Sequence, residues 1–204
     1  MKIIIVGAGV SGLSTYLQLQ KLLPSSTAHT IHIYESHDPS NGASTDNSGQ
    51  LLSSAQVLTD STAVVGNSIG LSPNSVRLLN RIDPKLYQIF KARGYVSETY
   101  VFKSARGHTL AVVPTNDNKS PVEYSISCPR FGLWECLREV VGEDKIQYRK
   151  IIAVSLDGEK PVVTFTDGEE ETADLVVGAD GVRSVVKRAI FGKEDELKYA
   201  PRYE

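Results

Sequence analysis

The clearest chemical signal in the sequence is a glycine-rich run directly after four consecutive apolar residues, Ile3 to Val6. The run consists of Gly7, Ala8, Gly9, Val10, Ser11 and Gly12. The first glycine permits a tight turn, the second lets the backbone approach a pyrophosphate, and the third lets a helix pack closely on a strand. Free N–H groups at the start of that helix attract a diphosphate. The run therefore predicts a dinucleotide-binding turn; the alternative is an ordinary glycine-rich turn.

A carboxylate follows at the spacing that a ribose contact requires. Glu35 lies 23 residues beyond Gly12 and ends a predicted strand over residues 31–35. There it can accept hydrogen bonds from adenosine ribose hydroxyls, and its charge would repel a 2′-phosphate. The sequence therefore predicts FAD or NAD at this site rather than NADP. The alternative for Glu35 is a solvated residue at a strand end.

Metal and nucleophile chemistry have no comparable signal. The four histidines lack metal-ligand spacing, and Cys128 and Cys136 fit neither a CxxC redox pair nor a zinc site. No arrangement of serine, histidine and aspartate argues for nucleophilic catalysis. We therefore predict no metal and assign no catalytic side chain.

Composition limits the partners of the chain. The 204 residues carry 22 basic and 24 acidic side chains, so the net charge of −2 predicts neither a nucleic-acid nor a membrane partner. No apolar run reaches the ~18 residues that cross a bilayer. With 41% hydrophobic residues the chain can bury a core, and we expect a cytoplasmic globular protein.

The elements around the glycine run form one supersecondary unit. Residues 3–6 predict a buried strand, a helix should extend from Val10 to about Leu23, and residues 31–35 predict a second strand. This order is typical of a right-handed crossover with a parallel pair. Residues 36–49 are small and polar, which predicts a mobile surface loop instead of the next helix and strand of an NAD-type domain.

Further elements follow beyond this loop. The patterns predict a helix from Ser72 to Pro84, a hairpin within 95–113 outside the nucleotide-binding sheet, a helix over 131–141, short strands at 145–148, 151–156, 162–166 and 175–177, and a basic helix over 183–190.

Four segments carry a resemblance to a known family. They are the opening GAGVSGL, the stretch IGLSPNSVRLL at 69–79, Arg130 with Leu133 and Leu137, and ADLVVGADGVRSVVKRAIFG at 173–192. In these segments the chain resembles the flavin-dependent monooxygenases of the aromatic-hydroxylase type, which share the glutathione-reductase-like FAD fold. The last segment is the most specific, because it is similar to the Asp-Gly motif of that family.

The resemblance implies a fold and a domain organisation. The fold is α/β, a Rossmann-like FAD-binding domain with a parallel sheet and an antiparallel β-meander, plus a partial β segment of a substrate domain. The expected ranges are 1–90 and 128–204 for the FAD-binding domain, 91–127 for the partial substrate-domain segment, and 36–62 for a flexible loop.

The resemblance also implies roles for individual residues. The glycine run and Glu35 would hold the ADP half of FAD. Arg130 would reach toward the flavin chain from the start of its helix, and the alternative is a surface arginine. Asp180 would support FAD and the approach of NAD(P)H, and the alternative is a plain helix N-cap. Lys187 stands where the family has arginine, which puts a bidentate contact there in doubt.

The implied reaction begins when NAD(P)H reduces FAD, and one oxygen atom of O₂ then reaches a small organic substrate by hydroxylation or epoxidation. The Gly-Asp dipeptide of the family is missing from this sequence, so we expect a truncated form that is weakly active or inactive. Exposed surface of an unfinished sheet would favour self-association. The alternatives are a non-catalytic flavin- or partner-binding fragment and an NAD-dependent dehydrogenase.

Overall fold

The computed structural model describes residues 1–25, 28–38 and 68–192. These residues form two compact units, the first from residues 1–38 and 141–192, with the same gap at 26–27, and the second from residues 68–140. Residues 39–62 of the predicted flexible loop lie outside the described residues. The domain ranges expected from the resemblance stay predictions.

A four-stranded sheet forms the centre of the first unit. Its strands are β1 (Lys2–Val6), β2 (Thr30–Glu35), β8 (Ile146–Tyr148) and β12 (Leu175–Gly178). They lie in the order β12-β1-β2-β8, and every neighbouring pair is parallel. Three consecutive isoleucines of β1 are fully buried, as expected for a parallel strand that is covered on both faces.

Helix α1 (Val10–Leu22) connects β1 to β2 and buries Leu13 and Tyr16. It ends where Leu23 donates its backbone N–H to the carbonyl of Leu19, directly before Pro24. The predicted strand–helix–strand unit is therefore confirmed.

A smaller antiparallel sheet belongs to the same unit. Its strands are β9 (Ile151–Ser155), β10 (Val162–Phe165) and β11 (Glu170–Thr172), in the order β11-β10-β9. Side chains of β1 and β2 share one apolar cluster with this sheet and with the C-terminal helix α5 (Val185–Phe191); its buried members are Ile4, Val6, Tyr34, Ile151, Val163, Phe165, Ala173 and Val186. This core holds β12 and α5 beside the end of β1.

The second unit contains three helices and two antiparallel sheets. Its helices are α2 (Pro73–Ile82), α3 (Pro84–Arg93) and α4 (Arg130–Val141), the last residue of which belongs to the first unit. Its strands are β3 (Ser68–Leu71), β4 (Tyr95–Ser97), β5 (Thr99–Lys103), β6 (Thr109–Pro114) and β7 (Ser125–Pro129). One sheet has the order β3-β7-β4, and β5 pairs with β6 as a separate hairpin.

The predicted α/β class with a parallel sheet and an antiparallel meander is confirmed. Strands β3, β7 and β11 were not predicted, nor were two further features. Residues after Pro84 continue as α3, because the carboxylate of Asp83 accepts hydrogen bonds from the backbone of Lys85 and Leu86 and starts a new helix. The short strand β8 pairs in parallel with β2, so it extends the parallel sheet.

Candidate nucleotide-binding site

The candidate site lies at the carboxyl edge of the parallel sheet. Val6 pairs with both Tyr34 and Gly178, so β1, β2 and β12 end side by side. Beyond the strands, the backbone N–H of Gly7 donates to the carbonyl of Tyr34, at 2.7 Å, and that of Ala179 donates to the carbonyl of Val6, at 2.8 Å. The sheet thus brings together three predicted features: the glycine turn, Glu35 and the segment that contains Asp180.

Two glycines of the turn are required by packing within the protein. Gly7 has a φ of +101°, and a methyl group added there would lie 2.5 Å from the backbone oxygen of Ala179. A methyl group on Gly12 would lie closer than 3.0 Å to the backbone oxygen of Gly7. The absence of both side chains therefore lets β1, α1 and the turn after β12 approach one another.

Gly9 differs from these two glycines. Its backbone has a φ of −71° and a ψ of −176°, which any residue can adopt. A methyl group added at Gly9 would meet no atom within 4 Å among the described residues. Neither the backbone conformation nor packing within the protein requires a glycine at position 9. The space in front of its backbone is therefore available to a bound group.

The N-terminal end of α1 is open. Gly9 is its N-cap, no side-chain oxygen of the described residues caps it, and its first turn carries no acidic residue. The first amides of a helix have no partner within the helix, and the helix dipole places partial positive charge there. This end can therefore bind an anion such as a diphosphate.

Glu35 faces the glycine turn. One carboxylate oxygen accepts a hydrogen bond from the backbone N–H of Ala8, at 2.7 Å. The other accepts from the backbone N–H of His37 and from the hydroxyl of Ser36, both at 3.1 Å. These contacts hold the carboxylate beside the turn, where the sequence analysis expected a ribose contact.

Asp180 follows β12 and contacts its own chain. One carboxylate oxygen accepts from the hydroxyl of Ser184, at 2.6 Å, and the other from the backbone N–H of Val185, also at 2.6 Å. Ser184 is the N-cap of α5, and its hydroxyl accepts from the backbone N–H of Lys187 at 2.9 Å. The N-cap of α5 is therefore Ser184 and not Asp180, and the expected role of Asp180 toward FAD and NAD(P)H stays a prediction.

Arg130 belongs to the second unit. It is the first residue of α4 and is exposed. Its expected contact with the flavin chain stays a prediction.

The part played by Ala179 was not predicted from the sequence. The backbone of this residue fills the space left by Gly7, and its side chain lies 3.4 Å from the position that a methyl group on Gly12 would take. The signal in the sequence was a small residue directly before the Asp-Gly dipeptide, but only the pairing of β1 with β12 shows what it contacts.

A polar network lies on the side of the parallel sheet that faces β11. The hydroxyl of Tyr34 donates to Glu171 at 2.6 Å, and the ammonium of Lys2 lies 2.7 Å from the same carboxylate. Burial raises the pKa of Tyr34, and the hydrogen bond to Glu171 raises it further. Burial alone would raise the pKa of Glu171, but the hydrogen bonds from Lys2 and Tyr34 bring it below its usual value. This network links strands of the two sheets.

The described residues offer few other groups that could bind a metal or react. No group of three or more histidine, cysteine, aspartate and glutamate side chains there could hold a metal ion. Cys128 and Cys136 are buried and free, and burial raises the pKa of both thiols. In the described part of the chain, no helix has the length and apolar character needed to cross a membrane.

Comparisons with known proteins agree with this geometry. Residues 2–97 match the family described as FAD dependent oxidoreductase. The FAD-dependent monooxygenase pigN of Monascus ruber is 30% identical over 150 residues, which are 68% of this chain and 34% of the relative. The 3-amino-4-hydroxybenzoate 2-monooxygenase of Streptomyces cremeus is 33% identical over 146 residues, again 68% of this chain and 34% of the relative.

A solved structure has a similar fold. HpxO from Klebsiella pneumoniae, solved in complex with FAD and uric acid, superposes with a TM-score of 0.65 at 19% identity, over 92% of this chain and 41% of that protein. The matched residues form an FAD-dependent oxidoreductase domain whose similar proteins include FAD-dependent monooxygenases, and FAD is the cofactor that these matches support. It spans 34% of the length of each of the two curated relatives.

Proposed function

We propose that this chain holds the ADP half of FAD at the carboxyl edge of its parallel sheet, as the FAD-binding part of an NAD(P)H-dependent monooxygenase. The observation that carries the proposal is the open space at Gly9 in front of an uncapped helix end. The fit is chemical as well as spatial, because a diphosphate needs amide donors and partial positive charge.

Different residues of the chain would bind different parts of FAD. The amides at the start of α1 would hold the diphosphate, and Glu35 would accept hydrogen bonds from the adenosine ribose. The negative charge of Glu35 would disfavour a 2′-phosphate, so NADP would be excluded from this site. Arg130 and Asp180 are included on the resemblance to the family, and no side chain is assigned as catalytic.

The bound flavin would supply the oxygen chemistry, and the protein would supply binding, orientation and exclusion of water. The proposed reaction hydroxylates or epoxidises a small organic substrate, with NAD(P)H as the reductant. For residues 1–204 alone we propose weak FAD binding and little coupled oxygen transfer. Shielding the flavin ring from water is a separate requirement, which the glycine turn and Glu35 do not meet.

The hairpin of β5 and β6 favours a second candidate function. Every residue of both strands is exposed, including Phe102 at 54% and Leu110 at 70%. Exposed apolar surface of this kind is typical of a binding face. The second candidate is therefore a non-catalytic flavin- or partner-binding fragment.

An FAD titration tests the proposed site through the substitution Gly9→Ala. The added methyl group meets no described atom, so the unfolding free energy should change by no more than about 1 kcal/mol. In the proposed complex the same methyl group would obstruct the diphosphate and weaken FAD binding at least about tenfold.

The matched control is Gly158→Ala in the turn before β10, where an added methyl group would make ordinary contact at 3.8 Å. This variant should bind FAD as the wild type does. Equal affinities for Gly9→Ala and the wild type would refute the site.

An NADPH-oxidation assay on the FAD-loaded chain then separates the two candidate functions, because the second one predicts FAD binding without turnover.

A further inference from the structure

The turn after β12 is interlocked with the glycine turn. The backbone oxygen of Ala179 occupies the space that a side chain on Gly7 would need, and the Cα of Asp180 lies 3.1 Å from the same point. Any shift of residues 179–180 would therefore move the atoms on which Gly7 and Gly12 pack. The shape of the glycine turn depends on a segment more than 160 residues away in the sequence.

Hydrogen bonds also fix the position of residues 179–180. The carboxylate of Asp180 is bound on one oxygen by the Ser184 hydroxyl and on the other by the Val185 backbone. Ser184 also caps α5 through the backbone N–H of Lys187. Both carboxylate oxygens thus contact residues 184 and 185.

We propose that Asp180 is a positioning residue for the FAD site, which acts through Ser184 and the backbone of Ala179 rather than by contact with the cofactor. This inference rests on the proposed function and changes the role that the family resemblance implies for Asp180. Electrostatics supports it, because a carboxylate beside a diphosphate would repel the diphosphate, whereas hydrogen bonds from the Val185 backbone N–H and the Ser184 hydroxyl stabilise the carboxylate of Asp180.

The two roles of Asp180 predict different results for conservative variants. In Asp180→Asn the amide oxygen can still accept from the Val185 backbone, and the amide N–H can donate to the Ser184 hydroxyl. The positioning role therefore survives the loss of charge. Ser184→Ala removes only the hydroxyl, and Ser184→Thr restores it.

The experiment is an FAD titration of the purified full chain. Flavin fluorescence measures the binding, at a temperature where every variant is folded. We expect Asp180→Ala and Ser184→Ala each to weaken binding about fivefold, and the double variant to be no weaker than the weaker single variant. Asp180→Asn and Ser184→Thr should bind within about twofold of the wild type. Asp83→Ala is the control, since it removes the cap of α3 in the second unit and should leave FAD affinity unchanged.

Four outcomes would overturn the inference: normal affinity in Ser184→Ala, failure of Ser184→Thr to restore affinity, the same loss in Asp180→Asn as in Asp180→Ala, or losses that multiply in the double variant. If Asp180→Ala does not fold, the FAD affinities of Ser184→Ala, Ser184→Thr and Asp180→Asn still test the positioning role. Failure of the wild type to bind FAD would instead refute the proposed function, so the two failures are distinguishable.

Discussion

The two turns that meet at the carboxyl edge of the sheet use the same strand–turn–helix pattern in opposite ways. After β1, the N-cap of the helix is Gly9, which has no side chain, and the helix end stays uncapped. After β12, Asp180 and Ser184 provide oxygen atoms that satisfy the first amides of α5. One turn therefore leaves its amides available to an anion, and the other satisfies them within the protein.

The difference shows how a binding turn can be recognised among turns of similar sequence. Both turns contain glycine at a positive φ, Gly7 in the first and Gly181 in the second. Glycine content alone therefore does not separate them. The discriminating features are the missing cap and Gly9 itself, a glycine that neither a positive φ nor close packing requires. A ligand in front of Gly9 would explain both features.

The largest expected effect comes from Gly12→Ala. The added methyl group would overlap the backbone oxygen of Gly7, and the interlock with the turn after β12 prevents either turn from moving away. We expect the unfolding free energy to fall by about 3 kcal/mol, measured by denaturant titration. Gly132→Ala in α4, with its nearest atom at 3.9 Å, should instead be neutral or more stable by up to about 1 kcal/mol. A stable Gly12→Ala variant would show that the first turn is not tightly packed.

Gly9→Asp converts the open turn into a capped one. The new carboxylate should cap α1 from the N-cap position, as the Ser184 hydroxyl caps α5, so stability should change by only a few tenths of a kcal/mol, roughly. FAD affinity should fall about 100-fold, equivalent to about 2.7 kcal/mol, because the carboxylate occupies the anion site. Isothermal titration measures the affinity, and Gly158→Asp controls for the added charge. Undiminished FAD binding would mean that the open helix end is not the diphosphate site.

The two carboxylates at this edge should also respond differently to loss of charge. Glu35→Gln keeps an oxygen that can accept from Ala8 but removes the repulsion of a 2′-phosphate. We expect the preference of the chain for ADP-ribose over 2′-phospho-ADP-ribose to shrink about tenfold, as measured by competition with FAD. Asp180→Asn should leave this preference unchanged. The same preference in Glu35→Gln and the wild type would contradict a ribose contact.

The smallest expected effect lies outside both turns, at Glu171. Because the folded pKa of Glu171 is lowered, its contribution to stability is complete above its usual value of 4.5 and is lost as the pH falls through the lowered value. Glu171→Gln should therefore reduce the acid sensitivity of thermal unfolding, at a cost of about 1 kcal/mol or less at neutral pH. FAD affinity at pH 7 should stay at the wild-type value; a large loss would connect this network to the site.

Much of the fold followed from local patterns. Apolar runs, the helical spacing of apolar residues and the helix stop at Pro24 predicted β1, α1 and β2, because these signals depend on neighbouring residues. The helix α3 was missed because Pro84 was interpreted as an end, although the preceding Asp83 makes it a start.

The sequence by itself determined which residues could bind a dinucleotide: a glycine run between a strand and a helix, and a glutamate at the end of the next strand. Tertiary structure decided what surrounds them. Only the parallel pairing of β1 with β12, which joins residues more than 170 positions apart, brings Ala179 against Gly7. Such pairings depend on the burial of whole strand faces in a common core, and no local pattern of residues encodes that.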